Sequence, residues 1–158
     1  MNISAATDYG MQALLHLAAA YESDEDLLST TEEISSKEGI PNKYLESILR
    51  SLRQGGIIES HRGASGGYKL ARPPKEISVA DVMRVLDGPL AAVRGERPED
   101  IKYKGSARSL PDVWIATRVA LREVLEEVSL AHIISGNFPA KINKLSSQPG
   151  AWERRSTR

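Results

Sequence analysis

A mainly α-helical fold with one small β-hairpin is what this sequence predicts: a winged helix-turn-helix domain followed by a long C-terminal helix that pairs two copies. Three observations carry that expectation. Two helical patterns, one opening at Thr30 and ending at Gly39 and one running from Pro41 to Gly56, stand with almost no loop between them. Directly after them, two short runs of β-branched, aromatic and polar residues flank the glycine-rich tip RGASGG. Nearer the C-terminus, LPDVWIATRVALREVLEEVSL spreads its apolar residues over more than half a helical circumference, wider than one core needs.

Taken in order, TDYGMQALLHLAAAYES carries Met11, Leu14, Leu15, Leu17 and Ala18 at helical spacing, with Thr7 or Asp8 placed to cap the first turn. After an acidic linker, Thr30 and Glu33 form a capping box, and Gly39 stops a short second helix. In the third helix Leu45, Ile48, Leu49 and Leu52 make one apolar stripe. So tight a turn forces the two helices to cross steeply, and the third then offers Asn42, Lys43, Glu46, Ser47 and Arg50 outward. GIIESH and YKLA read as the hairpin strands, and Ile77 is a candidate for a further short strand. Ser78 and Asp81 cap a fourth helix that ends at Gly88, and residues 89–109 show no period. The long helix starts at Pro111, and its apolar residues include Val113, Val119, Val124 and Val128. Trp114 suits a pocket or the seam of a homodimer, and its apolar neighbours favour the seam. Ser129 caps a last short helix, beyond which the polar, Gly- and Pro-broken residues 136–158 read as a flexible tail. The organisation expected is a DNA-binding domain over 1–76, a helical dimerisation and sensing region over 77–135, and that tail.

Composition narrows the chemistry. With 41% hydrophobic and 27% charged residues the chain has a globular balance, and no apolar run approaches the roughly 18 residues that span a bilayer. Its N-terminus lacks the pattern of a signal peptide, so a cytoplasmic protein without a membrane partner is expected. There is no cysteine, which removes disulfides, thiolate nucleophiles and sulfur-ligated metal sites. His16, His61 and His132 are not spaced as metal ligands, no catalytic triad or acid–base pair is evident, and neither an enzyme nor a cofactor is expected. Formal charge is zero overall but uneven: residues 1–36 hold seven acids and no Lys or Arg, whereas residues 37–75 hold eight bases against Glu38, Glu46 and Glu59. A partner feels the patch it touches, because salt screens beyond about 8–10 Å.

The glycine tip admits two readings. A phosphate-binding P-loop needs a second glycine and a hydroxyl where Tyr68 and Leu70 stand, followed by a helix where a strand is expected; only Lys69 fits. As a wing, Gly63, Gly66 and Gly67 take positive φ and bring backbone close to a duplex, with Arg62 and Lys69 adding charge. Arg, Lys, Glu, Ser and Asn on the third helix suit base edges in a major groove, and Arg53 near its end suits phosphate. A winged helix that docks onto a partner enzyme without touching DNA is the competing reading.

The stretch YLESILRSLRQGGIIESHRGASGGYKLARPPKEISVADVMRVLDGPL resembles the Rrf2 family of bacterial transcriptional regulators, through its YLE, RGxxGGY, I(S/T)xxDV and (D/E)GP elements. The resemblance spans about Ile3 to Ile134 and implies a winged helix whose long C-terminal helix packs across a two-fold dimer on operator DNA, usually as a repressor. It implies contacts to DNA from Asn42, Lys43, Tyr44, Glu46, Ser47 and Arg62, with Tyr44 also suited to a partly buried place. Many members hold an iron–sulfur cluster on three cysteines in the loop after the DGP element; that loop here has neither cysteine nor histidine. Asp8 stands where some nitric-oxide-sensing members place an aspartate ligand, but without thiolates it reads as a helix cap. The basic residue that the family often carries near the start of helix one is also missing. The chain is therefore similar to the cluster-free branch, which includes regulators of cysteine and sulfur metabolism. Double-stranded DNA, a second copy of the chain, and an effector protein or small molecule are the expected partners.

Overall fold

The computed structural model describes residues 2–154; the last four positions of the expected tail lie outside the described residues. Helix α1 spans Ala5–Ser23, and its cap is Ser4, whose hydroxyl accepts from the Thr7 amide at 3.0 Å. This corrects the expected cap: Thr7 is buried one turn in, and Asp8 lies in the first turn, accepting from Gln12 Nε2 at 2.8 Å. Helix α2, Thr31–Glu38, opens on the Thr30–Glu33 capping box, and Gly39 ends it in the left-handed region at φ +68°. Ser35 then ties the turn, its hydroxyl donating to the Ile40 carbonyl at 2.7 Å. Helix α3, Asn42–Gln54, follows and buries Leu45, Ile48, Leu49 and Leu52.

Strands β1, Ile58–His61, and β2, Gly67–Leu70, pair antiparallel with Ser60 opposite Tyr68. Ser29 adds an outer edge, exchanging two backbone hydrogen bonds with Tyr68 at 3.0 and 2.8 Å. Ile77 enters no strand. Its carbonyl accepts from Leu130 N at 3.0 Å, and the neighbouring Ser78 bridges Ser129. Helix α4, Val79–Leu86, starts on the Ser78–Asp81 capping box and closes on Asp87, one residue before the expected Gly88. Asp87 accepts from the hydroxyls of Ser4 at 2.6 Å and Thr7 at 2.7 Å, fastening α4 to the start of α1.

Residues 89–109 hold an isolated bridge between Val93 and Glu96 and two short 3-10 turns, at 98–100 and 105–107. Helix α5 runs over Leu110–Leu125 and helix α6 over Leu130–Ser135, the latter on a capping box of Ser129 and His132. Helix α7, Ala140–Ser146, is a correction to the tail expected as frayed: Lys141 pairs with Glu123 at 2.6 Å and holds it near α5. One main core unites Leu14, Leu17, Ile34, Leu45, Leu49, Leu52 and Ile58. Ile77, Val82 and Leu130, from the region grouped by sequence with the C-terminal part, join this same core.

Candidate nucleic-acid interface

The apolar stripe of α3 decides what its other face can do. With Leu45, Ile48, Leu49 and Leu52 turned inward, Asn42, Lys43, Tyr44, Glu46, Ser47, Arg50 and Arg53 are all exposed. Tyr44, suited by sequence to either environment, is 58% exposed, and its ring lies 6.2 Å from that of Tyr9 on α1. Ser47 donates to the Tyr44 carbonyl at 2.9 Å, which fixes its hydroxyl while leaving lone pairs free. Arg53 Nη1 donates to Ser60 Oγ at 3.2 Å, so the end of the helix is tied to β1. Nothing in the local sequence marks Ser60 or Tyr9 for these roles; both contacts arise when separate elements meet.

Arg62 is exposed at the tip, within a run of exposed residues from His61 to Ser65. The three glycines divide by cause. Gly63 has φ +114°, a conformation closed to ordinary side chains. Gly66 and Gly67 do not have positive φ and correct the expectation that they would. A Cβ on Gly66 would strike the His61 carbonyl, and one on Gly67 would lie 2.7 Å from the Ser29 carbonyl. Both are glycine because the hairpin and its neighbouring edge leave no room for a Cβ.

Lys69 is also placed differently from expectation. Its ammonium donates to Asp26 at 2.6 Å, and its side chain is only 20% exposed. The ion pair raises the Lys69 pKa, first through the hydrogen bond to Asp26, and lowers that of Asp26 by the same contact. Its charge is thus spent inside the chain, leaving Arg50, Arg53 and Arg62 as the arginines of this surface.

The expected seam residues divide likewise. No residue of α5 is buried, and Val113 and Val119 are 54% and 46% exposed. Val124 is half-buried. Val128 is already buried in its own chain, its carbonyl accepting from Val79 N at 2.9 Å, and is not free for a seam. Trp114 is half-buried and lines a cavity of about 580 Å³ with Pro89, Ala91, Val93 and Leu121. This is the alternative place, against the loop, that its sequence context left open.

The histidines have structural partners: His16 lies between Glu38 at 3.1 Å and Ser29 at 3.2 Å, and His132 serves its capping box. Among the described residues no group of three or more His, Asp or Glu side chains is placed to hold a metal ion, and none of the helices is long and apolar enough to cross a membrane.

Two helices joined by the short turn 39–41, the second with an exposed polar face, followed by a hairpin, define a winged helix-turn-helix protein. The family model described as "Iron-dependent Transcriptional regulator", Rrf2, matches residues 3–136. A helix-turn-helix transcriptional regulator of Mycobacterium tuberculosis is 42% identical over 153 residues, covering 97% of this chain and 93% of the relative. The Bacillus subtilis regulator CymR is 31% identical over 135 residues, 85% of this chain and 91% of CymR. Among solved structures, that of CymR, titled the global cysteine regulator of B. subtilis, matches with a TM-score of 0.70 at 30% identity, covering 87% of this chain and 98% of that one. The IscR structure of T. potens matches at 0.68 with 31% identity, covering 86% and 88%.

This chain belongs to the Rrf2 family of transcriptional regulators. The family and these relatives are regulators of transcription and not enzymes. The iron of the family description finds no donor set here: the chain has no cysteine, and residues 89–109 hold no histidine.

Proposed function

We propose that the chain is a sequence-specific repressor that binds a pseudo-palindromic operator as a homodimer in the cytoplasm. The carrying observation is that the whole polar face of α3, from Asn42 to Arg53, is exposed and tied to the hairpin through Arg53 and Ser60. Lys43, Arg50 and Arg62 can donate to guanine or phosphate, Glu46 can accept from cytosine, and Asn42 and Ser47 can do either. Backbone amides near Gly63 add phosphate contacts that fix register. Pairing along Val113, Val119 and Val124, apolar side chains wholly or partly open on α5, supports the dimer. Its two α3 helices would then enter successive major grooves roughly 34 Å apart.

A link to cysteine or sulfur metabolism is supported by the likeness to CymR over most of both chains and by the absence of cluster ligands. A gel-shift with DNA from upstream of the chain's own gene tests the reading. Retardation that survives excess unrelated competitor is expected, and retardation erased equally by any duplex would refute sequence selectivity. Loss of transcription from that promoter when the protein is added would establish repression; a gain would reverse the sign.

A further inference from the structure

Away from α3 and the hairpin, four arginines converge on one cavity. Arg84 comes from α4, Arg97 from the loop, and Arg118 and Arg122 from α5; with Pro89 and Leu90 they line a space of about 420 Å³ whose wall contains no acid. Two glutamates behind them hold the guanidiniums in place. Glu99 accepts from Arg97 Nε at 2.9 Å and Arg118 Nη1 at 2.7 Å. Glu126 accepts from Arg84 and stands 4.0 Å from Arg122 Nε. The result is two Arg–Glu–Arg triads around one cavity, each with one positive charge in excess. At longer range Asp100 stands 4.0 Å from Arg97, and Asp81 stands 3.9 Å from Arg84 and 3.6 Å from Arg72. Four guanidiniums line the cavity, and Arg72, outside it, shares Asp81 with Arg84.

Arg118 is the most enclosed of the four arginines. Its side chain is 16% exposed, and its Nε is buried with no hydrogen-bond partner among the described residues. Arginine forks are suited to carboxylate and phosphate oxygens in bidentate geometry. The cavity falls within the size range of small-ligand sites.

We propose that this cavity binds a small organic anion, carboxylate or phosphate, whose short carbon segment lies against Pro89 and Leu90.

Calorimetric titration of the full chain, without DNA, with succinate, citrate, glycerol phosphate and inorganic phosphate tests this independently of operator binding. Saturable binding of an organic anion at about one per chain is expected, and Arg122→Gln should weaken it by about tenfold. Arg122 is the chosen change because its one ion pair is the 4.0 Å contact with Glu126. Should that variant fail to fold, Arg97→Gln, 70% exposed at its side chain, carries the same test. Arg50→Gln, on the α3 face, should leave the anion bound. No binding of any of the four, binding unmoved by both Arg122→Gln and Arg97→Gln, or loss in Arg50→Gln instead would each overturn the proposal.

Discussion

Arg62 and Lys69 flank the same hairpin and carry the same charge, yet their surroundings give them different work. Arg62 is open to solvent at the tip, whereas Lys69 is committed to Asp26. Arg62→Ala is expected to weaken operator binding by about 1–3 kcal/mol, with relaxed specificity at one position if it reads a base and uniform loss if it holds phosphate. Lys69→Gln should leave operator affinity close to that of the unaltered protein in the same anisotropy titration. Residue chemistry was legible where it is local, as with the outward positions of α3. The Asp26–Lys69 pair was not, because its partners are 43 residues apart and no spacing rule joins them. Glu99 has the same origin in tertiary contact. Donation from Arg118, above all, holds its carboxyl down at about 2 from an ordinary 4.5. A depressed carboxylate stabilises the fold above its unfolded pKa and loses that contribution as pH falls. The stability gap between the unaltered chain and Glu99→Gln should therefore be complete above about pH 4.5 and close as pH falls towards 2, measured by urea unfolding across that range.

Helices were the most legible elements, because their signals lie within a few residues of one another. The Thr30–Glu33 and Ser78–Asp81 boxes are both made as the spacing implies. Helix α1 misled because it has several cap-competent residues, and the hydroxyl one turn earlier, on Ser4, meets Asp87 as well as its own helix. Gly55 was legible as a stop but not for its packing. Its φ of −77° suits any residue, yet a Cβ there would lie 2.6 Å from Val85 Cγ2 on α4. Valine is stiff at χ1 and cannot swing away easily. Gly55→Ala is expected to destabilise the chain by about 1–3 kcal/mol, as overpacking does, read from the denaturant midpoint. Little loss would mean that α4 slides freely on α3. The 89–109 loop gave no period because isolated apolar residues, Leu90 and Ile101, and ion pairs such as Glu99 with Arg118 anchor it, at spacings no helix or strand repeats.

For the molecule as a whole, the proposed docking has a count attached. With Lys69 committed internally, Arg50, Arg53 and Arg62 from each of two subunits neutralise about six phosphates, and log K should fall with log salt at a slope near −5. A slope near −2 would contradict two-subunit docking through these arginines. Dimerisation itself is tested by Val113→Asp, which places a charge on a side chain that is 54% exposed in the single chain. Sedimentation should show the unaltered chain as a dimer and this variant as a monomer of unchanged helicity. The breadth of the α5 apolar face implied that its own core would not cover all of it, but which of its residues stay open could not be read from sequence. Val128 looks equivalent to Val124 in sequence and is removed from the surface only by its contact with Val79.

The edge that Ser29 adds to β2 gives the wing two unlike flanks. Beyond that edge runs the segment bearing Glu22, Asp24, Glu25 and Asp26, while β1, on the other side, is fastened to the arginine-bearing end of α3. A polyanion arriving at the hairpin meets repulsion from one flank and attraction from the other. In the proposed docking this asymmetry would give the approach a direction, turning aside a duplex offered the wrong way round before any base is read.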